Sequence, residues 1–247
     1  MNKLLIICAL LFYTTMSYSE AKLQTDLPLK YVVQAPADTK NKPLVISLHG
    51  FTRSEADISH LKNDFNPDFT YISVRAPFPI YSGYQWFSLQ IPPGGLIQVA
   101  KEVKDSSKLL EDFVKAAAIK YKTDTEKVFL IGFSQGAMMS YELALRKPTA
   151  VRGIAALSGA MLPIVQSQMT PGHDLKNLAV FIGHGTEDNR IPLDAASAAN
   201  STLSRTSISP TFHSYEGLGH TINHKELADI NAWIKKTLET NRSSVLQ

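Results

Sequence analysis

The chain has 247 residues, 25 lysines and arginines against 22 aspartates and glutamates, a net charge of +3, and one cysteine. Its basic residues are scattered without a long run, which argues against a nucleic-acid partner. One cysteine excludes a disulfide framework, and a chain of this length with 44% hydrophobic residues can bury one sizeable α/β core.

The amino-terminal segment reads as an export signal. Met1-Asn2-Lys3 gives a basic start, residues 4–12 are apolar, and Ser17-Tyr18-Ser19 offers small residues for cleavage after Ser19. That run is too short for a comfortable membrane span, and nothing later is apolar for long enough. We therefore expect a signal peptide over residues 1–19, a folded domain over 20–247, and a periplasmic or secreted protein with no stable membrane span. Cys8 falls within the leader, so the exported domain must be held by its core.

Seven apolar, β-branched segments follow, at 29–34, 44–48, 71–75, 127–133, 153–157, 179–183 and 211–215. Helical patterns separate most of them. Val99, Val103, Leu110, Phe113, Val114 and Ala117 recur at helical spacing over about 97–121. A second helix follows Ser134 and stops before Pro148, a third spans about 193–203, and the last about 223–238. Strands alternating with helices predict a mostly parallel sheet covered on both faces. Two long loops, 78–95 and 161–176, are candidates to line or cover a site, and neither is large enough for a separate lid domain.

The chemistry centres on Gly132-Phe133-Ser134-Gln135-Gly136, between a buried strand and a helix. In that context G-x-S-x-G reads as a sharp turn that lifts a serine oxygen clear of the sheet. Nucleophilic acyl transfer also needs a base, a group to orient the base, and donors for the oxyanion. His220, after the glycine-bearing Glu216-Gly217-Leu218-Gly219, is the candidate base, with His224 as its rival. His184 and His213 fall in or beside strands and His60 and His173 in polar surface sequence, where structural roles are expected. Asp188, before Ile191-Pro192, is the candidate orienting carboxylate in preference to Glu187 or Asp194. The backbone N–H groups of Phe51 and Gln135 are the candidate oxyanion donors. Trp86, in the first long loop, is expected to line the substrate groove. No close-spaced His/Asp set suggests a metal ligand cluster, so neither a metal nor a cofactor is expected.

These residues resemble the small serine carboxylesterases of the α/β-hydrolase superfamily that include lysophospholipases and acyl-protein thioesterases. The resemblance covers about residues 43–234. It rests on Leu48-His49-Gly50, Arg75-Ala76-Pro77, Trp86-Phe87, the serine motif, Ala156-Leu157-Ser158-Gly159, His184-Gly185-Thr186-Glu187-Asp188 and Gly219-His220. It implies a Ser134–Asp188–His220 triad and acyl-ester substrates in a shallow apolar groove. The chain departs from the family pattern at Thr52, Arg53 and Ala137, which puts a bulkier, cationic edge beside the oxyanion loop. Three other readings stay open: an esterase for feruloyl or acetyl groups on plant or polysaccharide esters, a non-catalytic binding module on this scaffold, and a metal-dependent hydrolase.

Overall fold

A computed structural model describes residues 22–90, 92–169 and 175–244. The expected signal peptide and His173 lie outside these residues. The elements run β1 (Tyr31–Gln34), β2 (Leu44–Leu48), α1 (Glu55–Ser59), β3 (Thr70–Val74), β4 (Phe78–Ile80), β5 (Gly83–Gln85), α2 (Gly95–Lys120), β6 (Val128–Phe133) and α3 (Gln135–Arg146). Then come β7 (Gly153–Leu157), α4 (Pro163–Gln166), β8 (Ala179–Gly185), α5 (Leu193–Leu203), β9 (Thr211–Tyr215) and α6 (His224–Ser244).

Seven strands form one sheet in the order β1-β3-β2-β6-β7-β8-β9. Only β1 runs antiparallel to its neighbour, so the expected mostly parallel α/β-hydrolase sheet is present. Alternation along the strands divides the core between two faces. On β6, Val128 and Leu130 point to the side holding Leu110 and Phe113 of α2 and Tyr141 of α3. Phe129 and Ile131 point to the other side, against Ile58 of α1 and Leu227, Ile230 and Trp233 of α6. Each such buried side chain stabilises the fold by roughly 1.5–3 kcal/mol relative to leaving it exposed.

The parallel strands all present their carboxyl ends at one edge, where the serine turn and the loops after β2, β8 and β9 converge. The 78–95 loop is more ordered than its composition suggests. It contains the β4–β5 hairpin, closed through Tyr81 at φ 50°. Gly83 serves a close approach, since a Cβ on it would lie 2.1 Å from the carbonyl oxygen of Thr52. Tyr84 also bridges to Arg53, so the hairpin braces the loop after β2.

Candidate active site

Ser134 sits at the β6–α3 junction with φ 55° and ψ −115°. A residue with a side chain pays about 1–3 kcal/mol for such a backbone, which persists only where its surroundings over-determine it. Here the Ser134 N–H donates to Leu157 O at 2.9 Å, and its carbonyl accepts from Ala137 and Met138. The flanking glycines are needed for close packing. A Cβ on Gly132 would meet Gly136 O at 2.3 Å, and one on Gly136 would meet Leu48 O at 2.1 Å.

His220 arrives from the loop after β9. Its Nε2 is 3.0 Å from Ser134 Oγ and its Nδ1 is 2.7 Å from Asp188 Oδ2. A carboxylate only accepts, so Nδ1 carries the proton and Nε2 is left to accept from the serine hydroxyl. The ring leans on Phe133 with centroids 4.9 Å apart. Asp188 is buried, and its Oδ1 accepts from the backbone N–H groups of Arg190 and Ile191, both at 2.9 Å. Burial alone would raise its pKa. The N–H of Ile191, then the His220 side chain and the N–H of Arg190, outweigh that and hold the carboxyl below its ordinary value.

His184 also belongs to this corner. Its fully buried ring donates from Nε2 to Ile191 O at 2.7 Å and stands 3.3 Å from Asp188 Oδ2. It thus pins the turn that supplies the donors to Asp188. Its place at a strand end suggested only a core or surface role.

On the opposite side of Ser134, Phe51 and Gln135 line the same cavity as the serine oxygen. Among the described residues, neither of their backbone N–H groups has an acceptor within the protein. The loop carrying Phe51 is fixed through its neighbours. His49 Nδ1–H donates to Gly50 O at 2.8 Å while its Nε2 accepts the Ala76 N–H at 3.0 Å. That arrangement is a neutral imidazole, consistent with burial lowering the His49 pKa.

Trp86 corrects the sequence expectation. It is 0% exposed and does not line the groove. Its indole N–H donates to His49 O at 2.9 Å, and its backbone N–H donates to Gln135 Oε1 at 2.8 Å. Gln135 Nε2 in turn donates to Phe87 O at 2.7 Å. A buried carbonyl and a buried N–H both need partners, and satisfying them draws the ring inward. The Gln135 side chain was not anticipated in this role. A polar residue directly after the nucleophile, at a helix start facing a long aromatic loop, was the available signal.

The remaining candidates lie elsewhere. His224 has a 92% exposed side chain and pairs with Asp64 at 2.8 Å. His213 stacks on Phe181, and Glu187 and Asp194 face solvent. The cavity at Ser134 has a volume of about 400 Å³, with Leu89, Met138 and Ile191 as apolar walls and Arg53 and Arg190 at its lip. A second cavity of about 300 Å³, beyond His220, shares Gly50, Arg53, Phe133 and His220 with it and adds His60, Leu61 and Ile222. A larger cavity of about 730 Å³ lies between residues 64–69 and α6, and no serine, threonine, cysteine or histidine is among the residues that line it. Among the described residues, no three His, Cys, Asp or Glu side chains are grouped as metal ligands, and no helix is long and apolar enough to cross a membrane.

Sheet order and elbow together define an α/β-hydrolase. The phospholipase/carboxylesterase family matches residues 29–238, and the chain belongs to that family of ester hydrolases. It is 35% identical to carboxylesterase SOBER1 of Arabidopsis thaliana over 126 residues, 51% of this chain and 55% of that protein, so this match spans about half the relative's length. A probable carboxylesterase SOBER1-like of the same plant is 27% identical over 226 residues, covering 84% of this chain and 83% of the relative. The crystal structure of Arabidopsis thaliana SOBER1 superposes with a TM-score of 0.65 at 26% identity, covering 80% of this chain and 99% of that one.

Proposed function

We propose that the protein is an exported serine esterase that cleaves acyl or lipid-like carboxylic esters through an acyl-enzyme. The observation that carries this reading is the continuous hydrogen-bonded chain from Ser134 Oγ through His220 to Asp188. His220 takes the hydroxyl proton as Ser134 Oγ attacks the ester carbonyl. The oxyanion forms against the N–H groups of Phe51 and Gln135, each worth about 3 kcal/mol in the transition state. His220 then protonates the leaving alcohol, and water repeats the sequence on the acyl-enzyme. Asp188 keeps the imidazole in the required tautomer and stabilises its cation. Export rests on the basic start and apolar run of residues 1–12 and the small residues before Glu20.

A panel of nitrophenyl esters from acetate to palmitate, with methyl ferulate alongside, tests the reaction and sorts lipid-like from aromatic acyl groups. Turnover by the wild type that vanishes in Ser134→Ala supports the reading. Equal turnover by both proteins contradicts it. Recovery of the chain starting at Glu20 from the periplasm or medium is expected, and recovery of the full-length chain in the cytosol would remove the export claim.

A further inference from the structure

The charged side chains that line the cavity above Ser134 are cations. Two arginines, Arg53 and Arg190, line it, and no carboxylate does. They come from different loops, one next to the Phe51 turn and one next to the Asp188 turn.

Both are held at the backbone. Arg53 follows Thr52, whose φ is 61°, and its own N–H donates to Gly50 O while its carbonyl accepts from Tyr84. The N–H of Arg190 donates to Asp188 Oδ1, so its position is set by the same carboxylate that orients His220. Neither side chain is consumed by the fold. Arg53 stands 3.6 Å from Asp57 with 64% of its side chain exposed, a contact that water screens heavily. The N–H and hydroxyl of Ser54 take the other oxygen of Asp57, Oδ2, at 2.8 and 2.7 Å, so Arg53 faces Oδ1 alone. Among the described residues, the Arg190 guanidinium has no hydrogen-bond or ion-pair partner.

A guanidinium offers a planar fork of donors matched to carboxylate or phosphate oxygens. The same cavity has apolar walls made by Leu89, Met138 and Ile191. We infer that Arg53 and Arg190 form an anion subsite beside the nucleophile, and that the preferred substrate is an ester whose short apolar part ends in a carboxylate or phosphate. This rests on the esterase reading and narrows its substrate class.

The test compares kcat/KM within ester pairs matched in size and differing in charge, each normalised to its own alkaline hydrolysis. Methyl pentanoate against monomethyl glutarate places a carboxylate on the acyl side. Propyl acetate against carboxymethyl acetate places a carboxylate on the alcohol side, and 4,4-dimethylpentyl acetate against 2-phosphoethyl acetate places a phosphate there. In at least one pair the anionic ester is favoured about tenfold, and Arg190→Gln and Arg53→Gln each lower that ratio several-fold. Raising salt from about 20 mM to about 0.5 M shrinks it as well. The pair that shows the preference identifies the anion and the side it sits on.

A ratio at or below one in every pair, or a ratio that neither substitution lowers, overturns the subsite and leaves the esterase reading standing. If no ester is hydrolysed, the esterase reading fails. Calorimetry of Ser134→Ala with monomethyl glutarate and with inorganic phosphate then decides the subsite. Salt-sensitive binding abolished by the double arginine substitution supports it, and its absence overturns it.

Discussion

The two rims of the active site are built differently. Around Ser134, on the side of Phe51, every support is buried and hydrogen-bonded: His49 to Gly50 and Ala76, Trp86 to His49, and Gln135 to Trp86 and Phe87. Over the cavity itself, Arg53, Leu89 and Arg190 project into solvent from a fixed backbone. The first region cannot change one residue without stranding a polar group in the core. The second can change side chains at little structural cost. The proposed chemistry therefore falls to the buried rim, and the open rim is where the proposed substrate choice can vary.

The largest effect should come from the charge-transferring residues. His220→Ala is expected to lower kcat roughly 10⁴–10⁶-fold, while His224→Ala stays within about twofold, because the His224 side chain pairs with Asp64 at the surface. Steady-state kinetics on one nitrophenyl ester checks this. Reversed results would move the base to the other side of the loop.

Next comes the clamp. Gln135→Met keeps approximate volume but leaves the Trp86 N–H and Phe87 carbonyl without partners, which should cost about 2–4 kcal/mol of stability. Loosening the oxyanion loop should also lower kcat at least tenfold. Denaturant melts and kinetics read the two effects. A stable variant with unchanged kcat would show that the clamp does not position the loop.

Trp86→Phe sharpens the contrast further. It removes the donor to His49 O, with an expected loss of about 1–3 kcal/mol. Its kcat/KM should fall by the same factor for short and long esters, since the ring touches no substrate. A loss confined to larger esters would return Trp86 to the groove.

Much of this division was readable in the sequence. The strand-turn-helix context of Ser134, the glycine-bearing loop before His220, and Ile191-Pro192 after Asp188 each have a local pattern with a physical cause. Those patterns located three residues that the fold brings within hydrogen-bonding distance. What stayed hidden depends on contacts between distant segments. Trp86 reads as a loop aromatic, and only the carbonyl of His49, 37 residues earlier, explains its burial. The β4–β5 hairpin lies in a segment that reads as a loop, because the close approach that needs Gly83 involves Thr52. His184 reads as a strand-end residue, and its bond to Ile191 O appears only once the turn is folded.

The smallest effect on activity concerns Glu226, at the start of α6 beneath Gly183. Its buried carboxyl has no hydrogen-bond partner among the described residues, and burial pushes its pKa up to about 8. The folded protein thus keeps a proton that the unfolded chain releases near its ordinary value of 4.5. Stability contributed by this group therefore declines as pH rises between those values. Glu226→Gln should flatten that slope and raise Tm most at about pH 8, with turnover at neutral pH within about twofold. An unchanged pH dependence of Tm would mean that Glu226 does not titrate in this window.

The most direct test of the account is the site of covalent capture. A fluorophosphonate reacts with a serine only where a base has activated its oxygen and donors receive the phosphoryl oxygen. Peptide mass spectrometry after labelling should find a single adduct on Ser134, with labelling lost in Ser134→Ala and slowed in Asp188→Asn. An adduct on another residue, or equal labelling of Ser134→Ala, would contradict the assignment of the nucleophile.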